Sequence, residues 1–266
     1  MNRATRSHYN VRRGQCEAEW RGAAMAWWST ECPVRPKEQG WIDDSMRWLR
    51  DEFGDDPLAT PVVLPTGEFF PSAYHGSEQD VRDLLDLLCA HMDVAPSRVT
   101  LKFYDESSHA GVLSTLPSYD AVPTGATTAG HYQRRDGQTV ISIEASQAQR
   151  PVSLVATLAH ELCHERLIGE YRLDPATRQD HEPLTDLLTV YLGLGVFSAN
   201  AAHEFHGHAT GWRSTRTGYL TEPMYGYALA RYARLRGETR PAWMKRLDTN
   251  PRAAMKQGLR HLRLDA

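Results

Sequence analysis

The stretch His160-Glu161-Leu162-Cys163-His164 constrains this chain more than any other. On a helix, positions four apart lie one turn apart on the same face, so the imidazoles of His160 and His164 can converge on one ion. Glu161 is turned by about 100° from His160, so its carboxylate can reach the edge of such a site without ligating. Val152, Val155, Leu158, Ala159 and Leu162, followed by Leu167 and Ile168, recur at helical spacing as an apolar stripe. The imidazole face is therefore expected to look into a cleft while the other side packs into a core. Two neutral imidazoles beside a non-ligating carboxylate suit a hydrolytic zinc centre. There the metal lowers the pKa of a bound water to about 7 and the carboxylate takes its proton. The bland alternative is a pair of surface histidines with an acidic neighbour.

A catalytic zinc takes a third protein ligand and keeps a position open. A second helical pattern runs from Asp180 through Phe197, with Glu182 and Asp186 on one face and Leu184, Leu187, Leu188, Tyr191 and Leu194 on an apolar side. Glu182 is read as the third ligand. Asp186, one turn on, is read as the acceptor for the free ring N–H of His160, which would set its tautomer. Glu182 could instead sit in the first turn to complement the helix dipole beside Pro183, with His181 or Asp186 as substitute ligands. Gly193 and Gly195 weaken a helix, a cost that makes sense if another backbone passes close by.

His160-Glu161-Leu-Cys-His164 followed by Glu182-Pro-Leu-Thr-Asp186 resembles the gluzincin zinc metallopeptidases, whose second motif has the form Glu-x-x-Ser/Thr-Asp. The resemblance implies Zn²⁺ as cofactor, Glu182 as third ligand, Glu161 as general base and Asp186 as the partner of the first histidine. Ala159–His164, Thr185–Phe197 and Gly218–Thr221 are also similar to a set of uncharacterised bacterial gluzincin-like proteins. His181 stands where thermolysin-like members carry Asn. The likeness spans roughly residues 60 to 245, with its specific motifs between 157 and 222. Tyr219 matches a position in that group, and a phenol there could donate to an oxyanion. It could equally be a buried tyrosine with a bonded hydroxyl.

At 266 residues the chain can bury a sizeable core, and its formal net charge of −3 argues against a general polyanion binder. No apolar run approaches the roughly 18 residues of a membrane span. The opening Met1–His8 lacks the pattern of a secretory signal, and Cys16, Cys32, Cys89 and Cys163 form no C-x-x-C pair. A reduced, cytoplasmic protein is expected. Cys163 points away from His160 and reads as a small residue at the edge of the buried face.

Residues 1–38 read as a weakly ordered arm, although Trp20, Trp27 and Trp28 suggest docking on the body or on a partner. Trp41 to Phe53 reads as a helix ended by Gly54. Residues 62–64 are expected as a short strand, and Ser77-Glu-Gln-Asp80 as a capping box before a helix with Val81, Leu84, Leu85, Leu88 and Met92 inward. Val99 to Tyr104 reads as a strand, and 107–129 as a loop able to cover the cleft. Asp136-Gly137 joins strands 130–135 and 138–144 in a hairpin. Were 138–144 a sheet edge, it could pair with an extended substrate. The alternative is an interior strand.

The cluster His203-Glu-Phe-His206-Gly-His208 could offer a second metal site, an acid near the zinc, or only surface histidines. His206 and His208 are carried as weak candidates. Two short C-terminal helices follow at 241–247 and 251–264. Arg252, Lys256, Arg260 and Arg263 form a stripe read as a solvated face, and nucleic-acid contact is not expected.

The expected architecture is α+β: a small sheet packed on the H-E-x-x-H helix, with a mainly helical C-terminal half, zincin-like on the resemblance. It would be one domain over 39–266, with an α/β part to 150 and a helical metal-binding part beyond. The expected function is zinc-dependent amide hydrolysis of a peptide or protein substrate. The alternative is a zinc-bearing module that captures a peptide or partner without cleaving it.

Overall fold

The structure, a computed structural model, describes residues 30–104, 130–135, 138–208, 211–216 and 219–264, with backbone alone for 130–135, 203–208, 211–216 and 264. The first helix, α1 (Pro36–Phe53), begins earlier than the expected Trp41. Pro36 suits a first turn, and Glu38 reaches back to the Arg35 N–H, which extends the helix toward its N-terminus. Ile42, Met46 and Leu49 are buried. Helix α2 (Glu78–His91) starts at the expected capping box, with Asp80 N–H donating to Ser77 Oγ and Ser77 N–H to Asp80 Oδ2.

Strands β1 (Val99–Tyr104), β2 (Gly130–Arg135) and β3 (Gln138–Glu144) form a sheet of order β1-β3-β2. Strand β3 runs parallel to β1, in register from Val99↔Thr139 to Tyr104↔Glu144, and antiparallel to β2. It is therefore the interior strand, which excludes it as a sheet edge for substrate pairing. Its run Thr-Val-Ile-Ser-Ile, with Thr139, Val140, Ile141 and Ile143 buried, is what a strand covered on both faces needs. Residues 62–64 are not a strand. Val62 and Val63 are buried in extended chain, and Val63 N–H donates to Gly193 O at 3.0 Å. The flanking Pro61 and Pro65 lack the N–H groups a ladder requires.

Helix α3 (Pro151–His164) carries the two histidines and runs on into a π turn, Glu165–Gly169. Gly169 leaves room for the Glu165 carboxylate, which a Cβ at that position would displace. Helix α4 (His181–Tyr191) ends at Gly193, whose φ of +84° is a left-handed conformation, and a Cβ there would meet Val62 Cα at 3.7 Å. The close backbone expected from this glycine is thus residues 61–63. Helix α5 (Gly195–Ala201), a hairpin of β4 (His203–His208) and β5 (Gly211–Arg216), α6 (Glu222–Leu235) and α7 (Thr249–Leu264) complete the chain.

The architecture is mixed helix and strand, mostly helical with a small sheet, and α3 lies at its centre. Leu154, Leu158, Ala159 and Leu162 are fully buried. Val152, expected on the same buried stripe, is 39% exposed because it lies at the open start of the helix. No described helix is long and apolar enough to cross a membrane. On α7, Lys256 and Arg263 are exposed while Arg252 and Arg260 are half-buried. The arm through residue 29 and the loop 107–129 lie outside the described residues.

Candidate metal centre

Helices α3 and α4 meet so that three side chains point at one place. His160 Nε2 lies 3.1 Å from His164 Nε2 and 3.2 Å from Glu182 Oε2, and His164 Nε2 lies 3.4 Å from Glu182 Oε2. Four-coordinate tetrahedral bonds of 2.0–2.2 Å place neighbouring ligand atoms about 3.3–3.6 Å apart. The triangle is slightly smaller than that, with sides of 3.1, 3.2 and 3.4 Å, and its donors are two imidazoles and a carboxylate. These three residues could hold a metal ion, and they form the one such group among the described residues. The His160, His164 and Glu182 side chains are 16%, 7% and 24% exposed, so the triangle is largely shielded from solvent.

The surroundings orient these groups. His160 Nδ1 donates to Asp186 Oδ1 at 2.8 Å, the partnership expected from sequence. Asp186 is therefore behind the imidazole and not a third ligand. Its Oδ2 accepts from the backbone N–H groups of Tyr219 at 2.6 Å and Leu220 at 3.0 Å. The start of α4 is held by α1, where Trp41 Nε1 donates to Asp180 Oδ2 at 2.7 Å. His181 stands beside the triangle, with Nδ1 3.7 Å from Glu182 Oε1 and its ring 6.4 Å from that of His164.

Burial alone would lower the His160 pKa, but the Asp186 and Glu182 carboxylates override it and hold the imidazolium well above its ordinary range. Burial would likewise raise the Glu182 carboxyl, yet His164 and His160 keep it well below the usual carboxylate range. A pocket field that retains a proton so strongly also favours a divalent cation in the proton's place.

Glu161 follows the first histidine and is buried at 3% exposure. The Tyr219 ring stacks on His160, centroids 6.0 Å apart and planes within 17°. His206 and His208 fall on β4, where only the backbone is described. Cys163 is fully buried and burial pushes its thiol pKa far up, as befits a packing residue.

Two further residues belong to this neighbourhood and were not singled out from sequence. Tyr104, at the end of β1, has its phenol raised to about 12 by burial, with the charges of Glu144 and Glu161 adding to the effect. Its place depends on the β1–β3 pairing, which no local pattern announces. Thr185 lies fully buried beside His164, inside the quoted second motif, where its hydroxyl was the available signal.

The next residue after His164 enters a different cluster. The Glu165 carboxylate accepts a hydrogen bond from Thr139 Oγ1 and is ion-paired with Arg98 Nη2, and Arg98 also donates to Gly169 O at 3.1 Å. Around α3, turned by about 100–160° from the imidazoles, Phe70, Tyr74, Leu84, Val152, Val155 and Phe197 line an apolar cavity of about 340 Å³. No protein-family model, no curated protein and no solved structure matches this chain.

Proposed function

We propose that the chain is a zinc-dependent hydrolase of amide bonds, a peptidase of the gluzincin type with a zincin-like fold, acting on a peptide or protein substrate. The observation that carries this reading is the triangle of His160, His164 and Glu182 at separations of 3.1–3.4 Å, with a carboxylate adjacent to the first histidine. A bound zinc would supply a Lewis acid and a water whose pKa is lowered to about 7. His160, His164 and Glu182 would hold it. Asp186 keeps the His160 proton on Nδ1 and so leaves Nε2 free to bind. Glu161 takes the proton of the attacking water and passes it to the leaving nitrogen. The Tyr219 phenol donates to the oxyanion formed as water adds to the carbonyl. With β3 interior, any pairing of an extended substrate falls to another edge.

The burial of Glu161, at 3% exposure, is the observation that favours the second reading, a zinc-bearing module that captures a peptide without turning it over. The first experiment is zinc per chain by elemental mass spectrometry, on the wild type and on Glu182→Ala. Near-stoichiometric zinc that falls sharply in the variant is expected. A folded wild type that refuses added zinc sinks both readings.

A further inference from the structure

We propose that Thr185 is a positioning residue: its hydroxyl fixes His164 as the Nδ1–H tautomer and so keeps Nε2 bare towards the ligand triangle. The inference rests on the reading of His160, His164 and Glu182 as a metal site. The two histidines are held differently. His160 Nδ1 meets the Asp186 carboxylate at 2.8 Å, whereas His164 Nδ1 meets the Thr185 hydroxyl at 3.4 Å.

A hydroxyl has one proton and two lone pairs. The Thr185 proton is committed, since Oγ1 donates to the carbonyl of His181 at 2.8 Å, one helical turn back. Only a lone pair is left to face His164, so the proton in that contact belongs to the imidazole. With Nδ1 protonated, the neutral ring carries its free lone pair on Nε2, the atom 3.1 Å from His160 Nε2 and 3.4 Å from Glu182 Oε2. Thr185 is fully buried, so bulk water does not replace it. Its branched Cβ restricts χ1, which a serine would leave freer. A carboxylate fixes the tautomer and also raises ring basicity, and a hydroxyl does only the first. The common explanation of such a threonine, a back-bond that settles a helix side chain, predicts nothing about His164.

The test uses metal-free protein carrying ¹⁵N-histidine, with long-range ¹H–¹⁵N correlation, which separates imidazolium from each neutral tautomer, read at a pH where the spectrum itself shows the His164 ring neutral. His164 is expected as Nδ1–H in the wild type and in Thr185→Ser, and as Nε2–H or a mixture in Thr185→Val. Zinc affinity, read by chelator competition, is expected to weaken about tenfold or more in Thr185→Val and to stay within about threefold in Thr185→Ser. A wild-type His164 in the Nε2–H form overturns the proposal. So does a folded Thr185→Val with unchanged tautomer and affinity. If Thr185→Val does not fold, the wild-type spectrum decides alone. If the wild type binds no zinc, the metal reading falls, while the tautomer still decides the role of Thr185.

Discussion

Two clusters of ionisable groups are buried at adjacent residues where α3 ends, and they are neutralised in opposite ways. At Glu165 the chain supplies its own countercharge: a guanidinium from Arg98, a hydroxyl from Thr139, and a missing side chain at Gly169 to make room. At His164 and its partners the chain supplies two carboxylates, Glu182 and Asp186, facing imidazoles, with no Lys or Arg paired to either carboxylate among the described residues. Without a proton or an ion, that second group holds two negative charges in a shielded pocket. A cluster completed by its own chain is a structural joint. One left short of a positive charge is a place for something to bind.

The comparison can be broken at several points. The largest effect is expected from Glu161→Gln, which removes the proposed proton carrier and nothing from the triangle. Hydrolysis of a peptide substrate should fall by about 10²–10⁴-fold while zinc content per chain is unchanged. Full activity in that variant would discard the general-base role of Glu161, while a zinc-loaded wild type that cleaves no peptide would leave the capture module as the better reading.

Arg98→Ala is the counterpart in the completed cluster. It leaves the Glu165 carboxylate buried without its cation and should cost about 3 kcal/mol, the low end for breaking a buried pair, because the Arg98 side chain is 41% exposed. Urea unfolding of the metal-free protein measures it. Zinc stoichiometry should survive, and its loss in a still-folded variant would show that the two clusters are not separate.

Asp186→Asn sharpens the contrast further. The Asn carbonyl can still accept from Tyr219 and Leu220, which turns its NH₂ towards His160 Nδ1. The imidazole is then driven to the Nε2–H tautomer, with a proton pointing into the triangle. Zinc affinity should drop about 10–100-fold, and an unchanged dissociation constant would remove Asp186 from the site.

The smallest effect is in pH. The raised His160 pKa gives the metal-free fold stability that is fully present below the unfolded imidazole value near 6.5 and is lost as pH rises through the folded value. The depressed Glu182 pKa gives stability present above about 4.5 and lost as pH falls through its folded value. Metal-free protein should therefore be most stable between these limits. The rise in melting temperature on adding zinc should grow by a few degrees between about pH 6 and pH 8, as the ion replaces the proton. A zinc effect that shrinks with rising pH would contradict the coupling.

Much of this was legible before any coordinates, for physical reasons that differ from element to element. Helices α3 and α4 announce themselves because their periodicity is local, and the placing of His160, His164, Glu182 and Asp186 follows from spacing along two helices. The centrality of β3 is not local. The same alternation serves an edge or an interior strand, and only the partners at Val99–Tyr104 and Gly130–Arg135 decide. Val62 and Val63 have strand composition, yet their prolines and the contact with Gly193 hold them as plain extended chain. Thr185 and Tyr104 depend on how two elements are rotated against each other, which residue type alone does not encode. Arg98 meeting Glu165 is a contact between residues far apart in sequence, and no local pattern links the two.

The double acceptance by Asp186 carries one more consequence, for the order in which the molecule is built. One oxygen of that carboxylate turns the His160 ring, and the other, among the described residues, accepts from the backbone of residues 219–220. Those residues lie beyond the β4–β5 hairpin, so α3 and α4 can dock and still leave Asp186 half-served. The site is finished only when the C-terminal part of the chain has come home. Tight metal uptake would then be a late event, a signal that folding is complete rather than a seed from which it starts.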